Sequence, residues 1–234
     1  MIDFHTHILP GIDDGSAGAE ESRRMLDRLR TQGVDLAALT PHFYARQNGP
    51  EEFLERRHEA YERLKPALTE ELPRVKLGAE VYYFRGITRM AGLPSLRLEG
   101  TRLLLLEMPF APWSEGEVRE VVDLCHDGDF VVMLAHIDRY LKYQKRAVWD
   151  RLLEEGAVMQ ATADCFLPLL SGRRAVRMVR EGAVHVLGTD CHNMTSRQPR
   201  MDEAVRVLDK SLGQRETTAF LNRAYDCLDE WSLP

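Results

Sequence analysis

The chain begins Met1-Ile2-Asp3-Phe4-His5-Thr6-His7-Ile8-Leu9-Pro10-Gly11-Ile12-Asp13-Asp14-Gly15. An apolar, β-type run delivers His5 and His7 at its exit. Side chains two residues apart on a strand point to the same side, so both imidazoles can converge on one cation. Working outward, five later segments end in the same way. His42 follows Ala38-Leu39-Thr40-Pro41, and Glu80 follows Leu77-Gly78-Ala79. Glu107 follows Leu103-Leu104-Leu105-Leu106, His136 follows Val131-Val132-Met133-Leu134-Ala135, and Asp190 with His192 follows Val186-Leu187-Gly188-Thr189.

Those ligand-capped runs belong to a regular alternation. Apolar strand patterns fall at 2–5, 35–40, 75–80, 102–107, 130–135, 157–161 and 184–189. Helical periodicity fills 20–31, 51–68, 115–126, 142–154, 173–180, 202–212 and 215–231. Gly33, Gly128, Gly156 and Gly182 stand just past helix ends, where the chain must turn away. Short buried strands alternating with helices imply parallel pairing. No Gly-x-Gly-x-x-Gly follows the first strand and no Gly-Lys-Ser/Thr loop occurs, which disfavours a nucleotide-binding doubly wound sheet. The expected fold class is therefore α/β, a single-domain distorted (β/α)7-type barrel over 1–234, with functional residues at the C-terminal strand ends.

Composition sets outer limits. With 234 residues, 44% of them hydrophobic, the chain can bury a full core. No run approaches the ~20 apolar residues of a membrane span, and no basic leader precedes an apolar stretch. Cys125, Cys165, Cys191 and Cys227 form no Cys-x-x-Cys pair. They read as reduced thiols, and the expected location is cytoplasmic. A net charge of −6 argues against a nucleic-acid partner. The oligomeric state is not legible.

A carboxylate behind four leucines is hard to explain by packing, because buried and unpaired it costs several kcal/mol or takes up a proton. A metal ion or an arginine satisfies it. Mixed His and carboxylate donors without Cys suit Zn, Mn or Fe rather than Mg or Ca. His58 and His126 lie on charged helix faces and His185 lies inside a strand, so these three are read as packing or solvated residues. Cys191 and Arg197 satisfy Cys-x5-Arg, the loop spacing of cysteine-dependent phosphatases. The intervening His-Asn-Met-Thr-Ser has no glycine to form an anion cradle, and Asp190 opposes a thiolate, so that route is set aside.

The run Phe4-His5-Thr6-His7 through Gly11-Ile12-Asp13-Asp14-Gly15 resembles the polymerase-and-histidinol-phosphatase (PHP) superfamily. More narrowly, it is similar to the bacterial manganese-dependent tyrosine-protein phosphatases of capsule and exopolysaccharide loci. The resemblance continues in order through Thr40-Pro41-His42, Gly78-Ala79-Glu80, Leu106-Glu107-Met108-Pro109, Ala135-His136-Ile137-Asp138-Arg139-Tyr140 and Gly188-Thr189-Asp190-Cys191-His192-Asn193. It implies a PHP fold and three divalent ions, Mn2+ first, with Fe or Zn as alternatives. His5, His7, Glu80 and Asp190 hold one; Glu80 bridges to a second shared with Glu107 and His136; Asp14, His42 and His192 hold the third. Asp13 and Asp14 are not separable by spacing, and the one that is not a ligand is expected to bond a metal-bound water.

Arg139 and Arg197 match the family's substrate-phosphate arginines, a role that guanidinium geometry favours. Water bound by Asp13 or Asp14, or His42 itself, is the candidate for proton transfer to the leaving phenol. The implied reaction is phosphotyrosine hydrolysis by a metal-activated hydroxide, on a partner such as a bacterial tyrosine kinase tail. The alternatives are a small-molecule phosphomonoesterase acting on histidinol phosphate, a PHP nuclease, and a non-enzymatic metal-binding module. Departures from the family pattern are Ala163-Asp164-Cys165 after the sixth strand, Ile137-Asp138 where Pro-Glu is common, and Cys191 between two ligands. Tyr82, Tyr83 and Phe84 are expected on the substrate-selecting rim.

Overall fold

The structure, a computed structural model, describes residues 1–233. Its strands are β1 (Ile2–Thr6), β2 (Leu36–Leu39), β3 (His42–Phe43), β4 (Arg74–Leu77), β5 (Glu80–Tyr82), β6 (Leu103–Glu107), β7 (Val131–Leu134), β8 (Val158–Thr162) and β9 (Val186–Gly188). Every pairing between them is parallel. The helices are α1 (Ala19–Thr31), α2 (Pro50–Leu64), α3 (Glu115–His126), α4 (Arg146–Glu154), α5 (Leu169–Arg180), α6 (Met201–Leu212) and α7 (Gln214–Glu230).

Nine strands make seven staves, because two staves bend. Pro41 lacks an N–H and cannot donate across the ladder, so β2 gives way to β3 at Thr40-Pro41. The neighbouring β4 gives way to β5 at Gly78-Ala79. Pairing survives the bend through Gly78 N–H to Leu39 O at 2.9 Å and Glu80 N–H to Pro41 O at 3.0 Å. The sheet order β3-β5-β6-β7-β8-β9 curls round until the last strand meets the first. There Asp190 N–H donates to His5 O at 2.8 Å, His7 N–H donates to Cys191 O at 2.9 Å, and Thr6 bridges Cys191 in parallel.

Period-two alternation divides the apolar residues into two layers. Ile2, Phe4, Leu36, Ala38, Leu103, Leu105, Met133, Ala135, Val158 and Val186 form one cluster contributed by every stave but the bent β4/β5. The residues between them, such as Leu39, Leu104, Leu106, Val132, Leu134 and Met159, join the helices in a second. This is the inside-and-outside layering of a β/α barrel. α7 closes the lower end: Trp231 meets Phe4 edge-on at 6.1 Å, and its carbonyl accepts from Arg102 N–H at 2.7 Å.

Some expected boundaries shift. The helix read at 51–68 ends at Leu64 and tightens into a 3-10 turn over Lys65–Ala67, because Pro66 cannot donate to the α-helical ladder. The helix read from 142 starts at Arg146, after a turn over Tyr140–Gln144. The helix read from 173 starts earlier, at Leu169, just after Pro168. Two 3-10 turns over Ile137–Arg139 and Ala163–Phe166, not expected from the sequence, follow β7 and β8 at the ligand-bearing end.

Candidate metal centre

The C-terminal barrel end gathers the predicted ligands around one carboxylate. Glu80, fully buried, has His5 Nε2 at 3.3 Å, His7 Nε2 at 3.3 Å, His42 Nδ1 at 2.8 Å and His136 Nε2 at 2.9 Å. Local pairing produces this crowding, since the bent staves put His42 in register with Glu80 and Tyr82 in register with Glu107.

Three donor groups emerge. His5 and His7 Nε2 lie 3.1 Å apart and stand 3.5 and 3.4 Å from Asp190 Oδ1. Donor atoms around a tetrahedral ion with ~2.1 Å bonds are about 3.4 Å apart. Glu107 joins His136 at 3.5 Å and His42 at 3.9 Å. Asp14 Oδ1 lies 3.5 Å from His42 Nε2 and 3.4 Å from His192 Nε2. The sets differ in detail from those the resemblance implied. His7 also lies within reach of the Asp14 group, and His42 faces the Glu80–Glu107 pair through its other nitrogen. His42 aims both ring nitrogens at carboxylates, Nδ1 at Glu80 and Nε2 at Asp14.

The residues fit divalent cations. Glu80 Oε2, His42 Nδ1, His136 Nδ1 and His192 Nε2 are buried without a partner of hydrogen-bond geometry, although His42 and Glu80 sit close. Such atoms are costly to leave unpaired. The hydrogen bonds that do form aim the rings. His5 Nδ1 meets Gln160 Oε1 at 3.3 Å, His7 Nδ1 donates to Asp13 Oδ2 at 2.7 Å, and His192 Nδ1 donates to the Asp190 carbonyl at 2.9 Å. Each leaves Nε2 turned inward, the usual way outer partners orient metal-binding imidazoles.

Asp13 and Asp14 are thereby separated. Asp13 accepts from His7 through Oδ2, which also takes His42 N–H at 3.0 Å, while Oδ1 takes Gly15 N–H at 3.0 Å. Both oxygens are engaged, holding the turn, the His7 ring and the His42 backbone. A Cβ on Gly15 would lie 2.2 Å from the His7 carbonyl, so only glycine lets the turn close. Asp14 projects toward His42 and His192.

Electrostatics follow from burial opposed by charge. Burial alone would raise Glu80, but the surrounding imidazoles hold it well below the usual carboxylate range. Asp190 is likewise held low against burial by His5, His7 and Arg139. Burial opposes charge on His136 and His7, yet carboxylates outweigh it, lifting His136 to about 9 and His7 well above its ordinary value. His192 is driven the other way, to about 4, by burial and by the His7 charge.

Backbone strain coincides with two of the predicted ligands. His136 (φ 31°) and Asp190 (φ 52°) are the only non-glycine residues with positive φ among the described residues. Such conformations cost about 1–3 kcal/mol and persist where surroundings enforce them. Arg139 and Arg197 both reach Asp190 Oδ2, the latter at 2.7 Å, and both stay partly exposed at the mouth. His58 and His126 lie outside the centre on exposed helix faces, His126 pairing with Glu155 at 2.6 Å. His185, just ahead of β9, accepts from Met159 N–H at 2.9 Å. Cys191 is buried, and burial pushes its thiol well up, away from a nucleophilic thiolate.

Three contributors escaped sequence reading. Gln160 supplies the stave that lacked a ligand, holding His5 and accepting from His136 N–H at 2.7 Å. Asp3 accepts from Thr189 N–H at 2.9 Å, Thr189 Oγ1 at 2.6 Å and His5 N–H at 3.2 Å, tying β1 to β9 between two ligands. Burial raises Asp3 to about 6 despite those bonds. A lone polar residue inside an apolar strand was the available signal for both. Phe110, nearly half exposed, stacks on His136 at 5.8 Å, and nothing in the sequence distinguished it.

A family model described as "Capsular polysaccharide synthesis, CpsB/CapC" matches residues 1–227. The chain belongs to the CpsB/CapC family. Among similar proteins, tyrosine-protein phosphatase YwqE of Bacillus subtilis is 28% identical over 221 residues, covering 91% of this chain and 85% of the relative. Tyrosine-protein phosphatase CpsB of Streptococcus pneumoniae is 26% identical over 231 residues, covering 92% and 93%. A crystal structure from a study of YwqE and CpsB, called there metal-dependent tyrosine phosphatases, superposes with a TM-score of 0.81 at 24% identity, covering 100% of this chain and 96% of that one. A prolidase superposes at 0.56 with 14% identity, a likeness of fold alone. The PHP-type barrel read from the sequence is thus the fold of a CpsB/CapC protein.

Proposed function

We propose that this chain, a metal-dependent tyrosine-protein phosphatase by family, hydrolyses phosphotyrosine with three divalent ions, Mn2+ first. His5, His7, Glu80 and Asp190 would hold one, Glu80, Glu107 and His136 the second, and Asp14, His42 and His192 the third. The observation that carries this is Glu80, buried among four imidazoles from three separate stretches of chain. When bound, the ions neutralise phosphoryl oxygens and supply water acidic enough to attack at neutral pH.

The chain's own residues do the rest. Asp13 and Gln160 fix the rings of His7 and His5. Arg139 and Arg197 converge on the outward oxygen of Asp190, where a phosphoryl group can draw their forks into bidentate contact and meet charge as it builds. A phenol, with a pKa of ~10, leaves with less protonation than an alkyl alcohol, which suits a site whose Asp13 and His42 are engaged in orientation and ligation.

The natural substrate is the phosphotyrosine tail of a bacterial tyrosine kinase controlling capsule or exopolysaccharide synthesis, met in the cytoplasm, and 1–234 acts as one domain. The names of the relatives favour this over histidinol phosphate. Turnover of a phosphotyrosine peptide and of histidinol phosphate, with chelator, with added Mn2+ and with vanadate, tests it. Chelator-sensitive turnover selective for the peptide is expected. Chelator-resistant turnover, or a trapped phosphoenzyme, overturns it.

A further inference from the structure

Beside the metal centre lies a cavity of about 600 Å³. Tyr44, Tyr82 and Phe84 form part of its wall, with Arg46, Arg85 and Glu117. It adjoins the ligands directly: the Tyr44 ring lies 5.3 Å from His42 and 5.7 Å from Tyr82. That ring therefore stands between the cavity and the metal centre.

The wall has a charge imbalance. Arg46 and Arg85 are exposed and, among the described residues, pair with no carboxylate. The carboxylate on the same wall is already engaged, since Glu117 accepts from Ser114 N–H at 2.6 Å and Ser114 Oγ at 2.8 Å as the capping box of α3. Nor is Arg85 on a loose segment. Tyr83 and Gly86, on either side of it, both donate to Glu120, at 2.5 and 2.7 Å. Arg46 follows β3 in a turn closed by Gln47 N–H to Tyr44 O at 2.9 Å. An aromatic wall beside two exposed guanidiniums, carried on ordered backbone and without carboxylate partners among the described residues, suits an extended peptide carrying carboxylates.

We propose that this cavity binds the stretch of polypeptide flanking the phosphotyrosine, and that Arg46 and Arg85 select acidic side chains in that stretch. This rests on the phosphotyrosine reading above. The two are tested separately by pairs of peptides identical except for Glu or Gln beside the phosphotyrosine. Binding is read by anisotropy on non-hydrolysable phosphonate analogues, and turnover on the phosphotyrosine forms with Mn2+. Partly exposed ion pairs give modest gains, so the Glu peptide is expected to be favoured about three- to tenfold, in KM rather than kcat, fading with salt.

The Glu/Gln ratio is compared within each protein, so a general loss of activity cancels. It should fall to near one in Arg46→Gln/Arg85→Gln. In Arg46→Glu/Arg85→Glu a Lys-flanked peptide should become the better binder. Equal binding of Glu and Gln peptides by the unaltered protein, or a preference that survives both replacements, overturns the proposal. Selective binding without turnover of any phosphotyrosine peptide would overturn the phosphatase reading and leave only a peptide-binding groove.

Discussion

Replacing Asp13 by alanine should weaken metal binding without removing the capacity to react. Its Oδ2 lies 2.7 Å from His7 Nδ1 and 3.0 Å from the His42 amide nitrogen, so it positions two of the proposed ligands, and both its oxygens already accept hydrogen bonds. Loss of such an outer partner typically costs 10–100-fold in metal affinity, or about 1.4–2.7 kcal/mol. Mn2+ titrations of Asp13→Ala should therefore shift to higher concentration by that factor, with kcat mostly recovered at saturation. Asp14→Ala should not recover, because its oxygen faces His42 and His192.

The same contacts set an acid dependence. Burial would raise Asp13, but the His7 hydrogen bond and charge, with the His42 and Gly15 amides, bring it from 3.8 to about 2. A folded value below the unfolded one contributes stability above pH ~4 that disappears as pH falls toward 2, here on the order of 2 kcal/mol. Urea midpoints of the metal-free protein should fall over that window more steeply than those of Asp13→Asn. If saturating Mn2+ leaves Asp13→Ala with kcat down a thousandfold, Asp13 acts on the reacting groups and the orienting role is wrong.

Other outcomes follow from the same geometry. Gly188→Ala would place a Cβ 2.6 Å from His5 Cβ and 2.8 Å from Gln160 Nε2, forcing β9 from β1; a loss of about 1–3 kcal/mol, or roughly 3–10 °C in thermal unfolding, is expected. Cys191→Ser should keep kcat within about twofold, since the thiol is buried and protonated; loss of nearly all turnover with metal content intact would restore the cysteine mechanism. Mn2+ at a hundredfold excess over its dissociation constant should stabilise the fold by about 2.7 kcal/mol, raising Tm by roughly 5–10 °C, and chelator should reverse this; an unchanged Tm would mean that the buried donors do not bind the ion.

Much of the centre could be read from the chain because its signals are local. The alternation of apolar runs and the residue types at their exits follow from backbone geometry over a few residues, and they picked out eight of the nine proposed ligands, Asp14 coming only from the resemblance. His58, His126 and His185 were set aside on the same local grounds, and each lies away from the cluster. Helix ends were legible where glycine marks them and misplaced near Pro66 and Pro168, where 3-10 turns and a nearby helix start compete.

What the sequence determined by itself was the alternating α/β pattern and the set of side chains able to hold cations. Tertiary structure decided which of them touch. The His42–Glu80 register arises from a bend shared by two staves, and the choice between Asp13 and Asp14 depends on which carboxylate meets His7 across the turn. The service of Gln160 and Asp3 exists only once β8 and β9 lie against their neighbours. Periodicity is fixed within one segment, whereas hydrogen bonds between segments over a hundred residues apart depend on how the barrel closes.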